Sequence, residues 1–480
     1  MFGVDIAYLL TTAAVVLGGA SAAAWWLKNK RDDRQITNAE FAVSTAAILL
    51  LIIPLSTWIG SKIAVDQAIS GYREYYNGSL VSYHTETIAC KRDGNCVHEY
   101  SCDPYIVMVP KTRTVSDGKK SRTETYYVPE TRYHDCPYAT QETTYTLKDT
   151  LGGTHVIGSH WLDQSPAEWR QGKSIPAGLP RGIPEQWTSA RVNIDAGDPD
   201  GVTKLHEYDN YLLASDETVL KQYSDKVADY RARGLLPEFT KNQLTDPIYR
   251  FYQADKVVLV DLTVANAHAW QNAMARVNAR FGSTRQGDLH MVAVPAEKIS
   301  NAREYINTLV AYWQDAETYG KYALAKNAVV VVVGVDSSGT VAWSDAKTGI
   351  PEGNGAMLEA LANLRGRTFE PKTLLGWPTY NTGTRQYVSS TGTIENIIID
   401  QYPYLRPCMN CTDKGDQGTG YVYLKAAVKV PTGGKIAISI VIAVLSTLLF
   451  WVMAQYNFMA VLTRRGRNTV TRYRFNKKEK

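Results

Sequence analysis

Charge is nearly absent from three long stretches of this 480-residue chain: residues 6–27, 41–65 and 436–462 share one charged side chain, Lys62. Each stretch meets the roughly 20 apolar residues needed to cross a bilayer's hydrocarbon core. Three transmembrane helices are therefore expected, with the lipid bilayer as the first partner. Trp25, Trp26, Trp58 and Trp451 stand near their ends, where interfacial aromatics are favoured. Pro54 lies inside the second stretch, a position that neighbouring helices make tolerable.

A basic leader is also absent. Only Asp5 precedes the first stretch, whereas Lys28, Lys30, Arg31 and Arg34 follow it. That order is the reverse of a secretory signal peptide, so the first stretch reads as a retained span. Cysteine is missing from all three spans, from the basic link and from the tail. The six that exist, Cys90, Cys96, Cys102, Cys136, Cys408 and Cys411, all fall between the second and third spans. An even number confined to one exported segment reads as disulfides in an oxidising compartment. Cys90, Cys96, Cys102 and Cys136 are expected to pair among themselves, in any of three connectivities. Cys408 and Cys411, in a Pro- and Gly-flanked loop, read as a structural bridge. The C-x-x-C spacing also suits redox chemistry, and His84, His98 and His134 keep zinc open as a reading.

Enzyme signatures are absent too. There is no G-x-S-x-G, no H-E-x-x-H and no phosphate-binding loop, which removes the commonest hydrolase and nucleotide-binding classes. No fixed-period repeat or heptad appears, and nothing points to a specific nucleic-acid partner. The spans carry few polar residues beyond Ser, Thr and the late Gln455 and Asn457, so a transport pathway has little support.

What is present is strongly polarised. The tail holds Arg464, Arg465, Arg467, Arg472, Arg474, Lys477, Lys478 and Lys480 against Glu479 alone. Basic segments stay cytoplasmic. The link and the tail lie on one side if the chain crosses three times. The N-terminus is then outside, residues 66–434 are periplasmic or extracellular, and the tail is cytoplasmic.

The exported part divides by composition. Residues 66–164 alternate Tyr, Thr and Val with polar residues, as in "ETYYVPETRY", and turn signals interrupt them. This pattern predicts a β-rich, disulfide-stapled region. Residues 165–211 are rich in Pro and Gly and read as loops. Asp195, Asp198 and Asp200 there lack the spacing of a calcium loop and read as a turn. Asn77 and Asn410 match the glycosylation tripeptide.

From 212 to 434 the periodicity is helical, interrupted by strands. One helix, from Glu217, places Val219, Leu220, Tyr223, Val227 and Tyr230 on a face and stops at Gly234. A second aligns Trp270, Met274, Val277 and Phe281, with Gly282 as a C-cap candidate. A third aligns Ala302, Ile306, Leu309 and Trp313. Between them run "KVVLVDLTV", "DLHMVAVP" and "NAVVVVVGVDSSGTVAW". Five consecutive valines without alternation predict a strand buried on both faces, central in a sheet covered by helices. Asp336 ends that strand, where such sheets place ligands and where any strand places a turn residue.

The order helix, "GDLHMVAVP", helix, "KNAVVVVVGVDSSGTVAW" and "TGIPEGNGAMLEAL" over residues 256–366 resembles the TPM domain, a module of membrane-tethered exported proteins. The resemblance implies an α/β layered domain. It also implies a role in assembly, repair or receptor support, or a metal-linked phosphatase-like site to which Asp261, Asp336 and Asp345 correspond.

The expected fold is thus three transmembrane helices with a large α+β ectodomain, β-rich at first and α/β afterwards. The expected function is binding or assembling partner proteins, or further copies of itself, at the membrane surface. The alternatives are a metal-dependent phosphatase-like hydrolase and a subunit of a larger transport or secretion assembly. No cofactor is expected apart from a divalent metal at the three aspartates.

Overall fold

A computed structural model describes Gly19 and residues 38–89, 104–117, 120–133, 141–162, 182–211, 223–349, 353–388, 390–402 and 428–455. Apart from Gly19, the first expected span lies outside these residues, as do the basic link, the basic tail and all six cysteines.

The described chain begins with one continuous rod: helix α1 (Asn38–Ala47), a π-helical turn (Ile48–Ile52) and helix α2 (Ile53–Ile69). Pro54 explains the break. A proline offers no N–H to the carbonyl four residues back and its ring crowds that carbonyl. The widened turn just before it absorbs the misfit. Residues 40–69 are long and apolar enough to cross a membrane.

Strand β1 (Tyr72–Ala89) starts only two residues after α2, through Gly71 at φ 77°. It serves two partners in succession. Its first half pairs antiparallel with β6 (Gly201–Tyr208) and its second half with β4 (Gln141–Asp149), which pairs in turn with β5 (Thr154–Leu162). The result is a four-stranded sheet in the order β5-β4-β1-β6. Helix α3 (Glu185–Ala196) closes one face, burying Trp187, Ala190 and Ile194 against Leu80, Tyr145 and Leu147. The stretch read as loop, 165–211, therefore carries both α3 and β6 in its described part. The β6 sequence hid this because Lys204, His206 and Glu207 break its alternation, as its burial pattern does.

Two further strands, β2 (Pro104–Asp117) and β3 (Lys120–Tyr133), pair only with each other, in unbroken register from Pro104↔Tyr133 to Asp117↔Lys120. They form an arm inserted between β1 and β4 in sequence.

The remaining body is α/β. Helix α4 (Ser224–Ala232) and a small hairpin, β7 (Gln243–Asp246) and β8 (Phe251–Gln253), precede β9 (Val257–Leu259). Then come α5 (Ala267–Arg285), β10 (Asp288–Pro295), α6 (Ala302–Trp313), β11 (Ala328–Val335) and β12 (Val341–Thr348). β9, β10 and β11 are parallel and β12 is antiparallel, in the order β12-β11-β10-β9. Asn266 and Asn301 cap α5 and α6, accepting from the amides of Ala269 and Glu304, as expected of N-cap side chains. Val329, Val331 and Val333 face a core containing Trp270 of α5. Val330 and Val332 face a second core containing Trp313 of α6. The valine strand is thus buried on both faces between two helical layers. Helices α7 (Gly355–Leu361) and α8 (Thr393–Gln401) complete the first layer.

Helix α5 runs past Gly282 and ends at Gln286, φ 56°. Gly282 has a different task from the expected C-cap. A Cβ there would stand 2.0 Å from the Asn77 carbonyl oxygen, so the glycine lets α5 press on β1. The Asn327 amide donates to the Tyr75 carbonyl at 3.0 Å, and the Tyr208 hydroxyl accepts from the Lys326 amide at 3.1 Å. The β-rich and α/β parts are joined by buried hydrogen bonds as well as by packing.

The chain closes with α9 (Thr432–Gln455), of which residues 432–453 are also long and apolar enough to span. It lies antiparallel to the first rod. Phe450 meets Phe41 with ring centroids 5.8 Å apart. Near the other end Gly60 faces Ile438, and Gly434 faces Ala64. Small residues let helix backbones approach where no hydrophobic effect drives them together. Outward, Leu50 and Leu51 are 74% and 65% exposed, as are many aliphatic side chains of both helices. Among the described residues the chain is thus a mixed α/β protein with two membrane-length helices.

Candidate functional site

The three aspartates singled out by the resemblance sit at three separate places. Asp261 follows β9 with φ 51° and pairs with Lys298 at 2.8 Å. Asp336 closes β11. Its Oδ1 accepts from the backbone amides of Ser338 and Thr340, each at 2.9 Å, and from the Ser338 hydroxyl. These hydrogen bonds hold its carboxyl below the usual range, and the arrangement is an Asx turn. Asp345 is buried on β12, where Oδ2 meets Arg303 at 2.9 Å and Oδ1 accepts from the Ala346 amide.

Strand register accounts for the separation. Asp345 lies opposite Val332, four residues before Asp336 on β11, which is about 13 Å along a strand. Asp261 extends β9, two strands from β11, which adds about 10 Å across the sheet. Metal ligands need oxygen distances of roughly 2.0–2.6 Å to one ion. Among the described residues no group of three or more His, Cys, Asp or Glu could hold one. The turn aspartates fare similarly. Asp198 pairs with Arg276 at 2.6 Å, and Asp200 accepts from Asn193 at 2.8 Å. Asn77, of the first glycosylation tripeptide, is buried and accepts from the Thr203 hydroxyl. Asn410 lies outside the described residues.

One buried charged cluster escaped the sequence. Asp288, at the start of β10, accepts from the Lys256 ammonium and pairs with His290 Nε2 at 3.0 Å, all three side chains being nearly solvent-free. Burial pushes the Asp288 carboxyl up, but Lys256 and His290 outweigh it and hold it below the usual range. Phe239 and Trp313 pack on the imidazole with ring centroids 5.6 and 6.1 Å away. The three groups satisfy one another within the core. An Asp-x-His pair is visible in "DLH", but nothing in the sequence shows that Lys256 lies beside it.

At the open edge of the sheet, a cleft of about 390 Å³ lies between β9 and α5, lined by Asp255, Leu259, His268 and Gln271 among others. Gln271 closes part of it. Its amide nitrogen donates to the Val257 carbonyl at 2.8 Å, and its oxygen accepts from the Lys256 and Val257 amides. The side chain takes up the hydrogen bonds that a further strand would make.

The junction between α2 and β1 is also built. Lys321 donates to the carbonyls of Gln67 and Ala68 at 2.9 and 3.0 Å, the last turn of α2, and its ammonium sits 4.3 Å over the Tyr72 ring. The Asn210 amide donates to the Ile69 carbonyl at 2.7 Å. A cation at a helix C-terminus meets both the unsatisfied carbonyls and the negative dipole end. Desolvation draws the Lys321 pKa down, against the opposing pull of Asp209.

The most exposed candidate is the arm. Ile106, Met108 and Tyr127 are 71%, 54% and 62% exposed. The opposite face carries Arg113, Arg122 and Glu124, with Glu124 reaching the two arginines at 3.1 and 3.5 Å. The sequence showed the period of these strands; it held no signal that they would stand without a covering layer.

Comparison with protein families, with curated proteins and with solved structures yields no match.

Proposed function

We propose that this chain is a membrane-anchored protein whose ectodomain, residues 66–434, binds or assembles partner proteins at the membrane surface. The observation that carries the proposal is the way two membrane-length helices enter one folded body. The α2 end and the α9 start lie side by side, and α2 is captured there by Lys321 and Asn210. Such an arrangement holds a binding surface at a set place above a bilayer. The absence of enzyme signatures agrees with this reading, and so do the separate local roles of Asp261, Asp336 and Asp345. The order β9-α5-β10-α6-β11-β12 is the order that the resemblance to the TPM domain implies.

The topology belongs to the same proposal. Two basic segments, 28–34 and 464–480, are held in the cytoplasm, each one span away from the exported body, and a further span carries the N-terminus outside. The six cysteines pair in the oxidising compartment.

Protease added to intact cells stripped of outer barriers is expected to digest 66–434 and leave the tail. Cleavage of the tail with protection of the body would reverse the orientation. Non-reducing peptide mapping is expected to find Cys408 joined to Cys411; free thiols throughout would remove the exported compartment from the reading.

A further inference from the structure

We propose that the β2–β3 arm docks face to face, head to tail, on the arm of a second copy of this chain. The proposal rests on the membrane-anchored binding reading and names its first partner.

The register sorts the arm into two unlike faces. In an antiparallel pair, directly opposite residues share a face. One face contains Arg113 opposite Glu124 and Val109 opposite Val128, with Arg122, Glu130 and Arg132. Its valines are half-buried under longer neighbours. On the other face none of the described side chains is charged, and all are exposed. Its base half is bulky: Ile106, Met108, Pro110, Tyr127 and Pro129. Its tip half is small: Thr112, Thr114, Thr123 and Thr125. An isolated two-stranded ribbon is marginal in water, and this one leaves its apolar base uncovered.

Three features select the occupant. An uncharged face disfavours a charged partner, because a desolvated charge without a counter-charge is costly. A second copy presents an equally uncharged face without further requirement. The size gradient then sets the direction. Head to tail, each bulky base meets a small tip, which is how facing layers interdigitate; side by side in the same sense, base would clash with base. Such a contact is isologous and closes as a dimer.

The edges do not compete over the base half. Pro110 pairs with Tyr127 and Met108 with Pro129, so both prolines belong to one class of ladder position. A proline has no N–H to give to the ladder, so that class points its nitrogens outward. Each edge therefore lacks a donor where another strand would add.

Area sets the strength. Strands of 14 residues at about 3.3 Å per residue, spaced about 4.8 Å, give a face of roughly 450 Å². Two copies bury about 900 Å², below the roughly 1,200 Å² of stable interfaces. The pair is weak in dilute solution and forms where a shared bilayer raises the effective concentration.

The test uses the full-length protein in liposomes, with a photoreactive phenylalanine at position 127. Illumination is expected to yield a dimer whose cross-link maps to the Thr112–Thr114 or Thr123–Thr125 region of the other copy. Met108→Lys with Tyr127→Lys should lower the dimer fraction, followed by single-molecule photobleaching, about tenfold or more. Arg122→Gln on the opposite face should change it less than about twofold. Circular dichroism of each variant confirms that the body is folded. A monomer at all densities, or a cross-link joining base to base, overturns the head-to-tail pairing. In native membranes, a cross-link to another protein with none to a second copy also overturns it and leaves the membrane-anchored binding function standing. Cross-links to lipid alone overturn the pairing as well and leave the membrane-anchored binding function standing.

Discussion

Strands β11 and β2 solve opposite problems. β11 repeats valine without alternation and is buried on both faces, with α5 on one and α6 on the other. β2 alternates, pairs with β3 alone, and leaves Ile106 and Met108 in the open. One strand belongs to a core that needs nothing further; the other leaves apolar surface for something outside the described chain. The contrast teaches that a strand's apolar content does not report its burial. The number of faces along which that content is distributed does.

The comparison can be broken hardest at β11. Replacing Val331 with Asp puts a charge between two helical layers with no partner, at a cost of several kcal/mol, comparable to a domain's whole stability. Loss of the cooperative melt of the folded body is expected by circular dichroism. A normal melt would mean that β11 is not central.

The next largest effect concerns the buried cluster. Asp288→Asn leaves the Lys256 charge uncompensated, and about 3–5 kcal/mol should be lost. Lys256→Met together with Asp288→Leu should recover most of it, as measured by denaturant midpoint. Equal losses in the single and double variants would show that the pair is not electrostatically coupled.

The same cluster sets a pH dependence. The folded carboxyl of Asp288 lies below its ordinary value, so its contribution is present above the unfolded pKa of about 3.9. It is lost as pH falls through the depressed folded value. The wild-type body should therefore lose stability on acidification below about pH 4 more steeply than the double variant. Parallel acid titrations of the two proteins would refute this.

The smallest effect is expected on the arm. Arg113→Ala removes one exposed ion pair with Glu124, worth at most about 1 kcal/mol. The melt of the body should not move. A shift of several degrees would mean that the arm packs on the body.

Much of the α/β part was legible because helix and core signals are local. Trp270, Met274, Val277 and Phe281 recur at helical spacing, as do Ala302, Ile306, Leu309 and Trp313. The two membrane-length helices were legible from length and composition. What was not legible depends on register and on distant partners. Lys256 and Asp288 are brought together by the pairing of β9 with β10. The separation of Asp336 from Asp345 follows from the partner of Asp345 being Val332. Gly282 looked like a helix stop because a glycine's local signature is the same whether it ends a helix or admits a neighbouring strand. The arm's alternation gave its faces but not its isolation, since a period says which side chains align and nothing about what covers them.

The junction at the end of α2 has a mechanical consequence. Only Ser70 and Gly71 separate the helix from β1, and Lys321 and Asn210 clasp its last carbonyls. Among the described residues no swivel separates the rod from the body it enters. A twist of the rod about its axis becomes a rotation of the body that β1 enters. A body so joined has one angle to set, about the axis of the rod, where a tethered head on a loose stalk would have three.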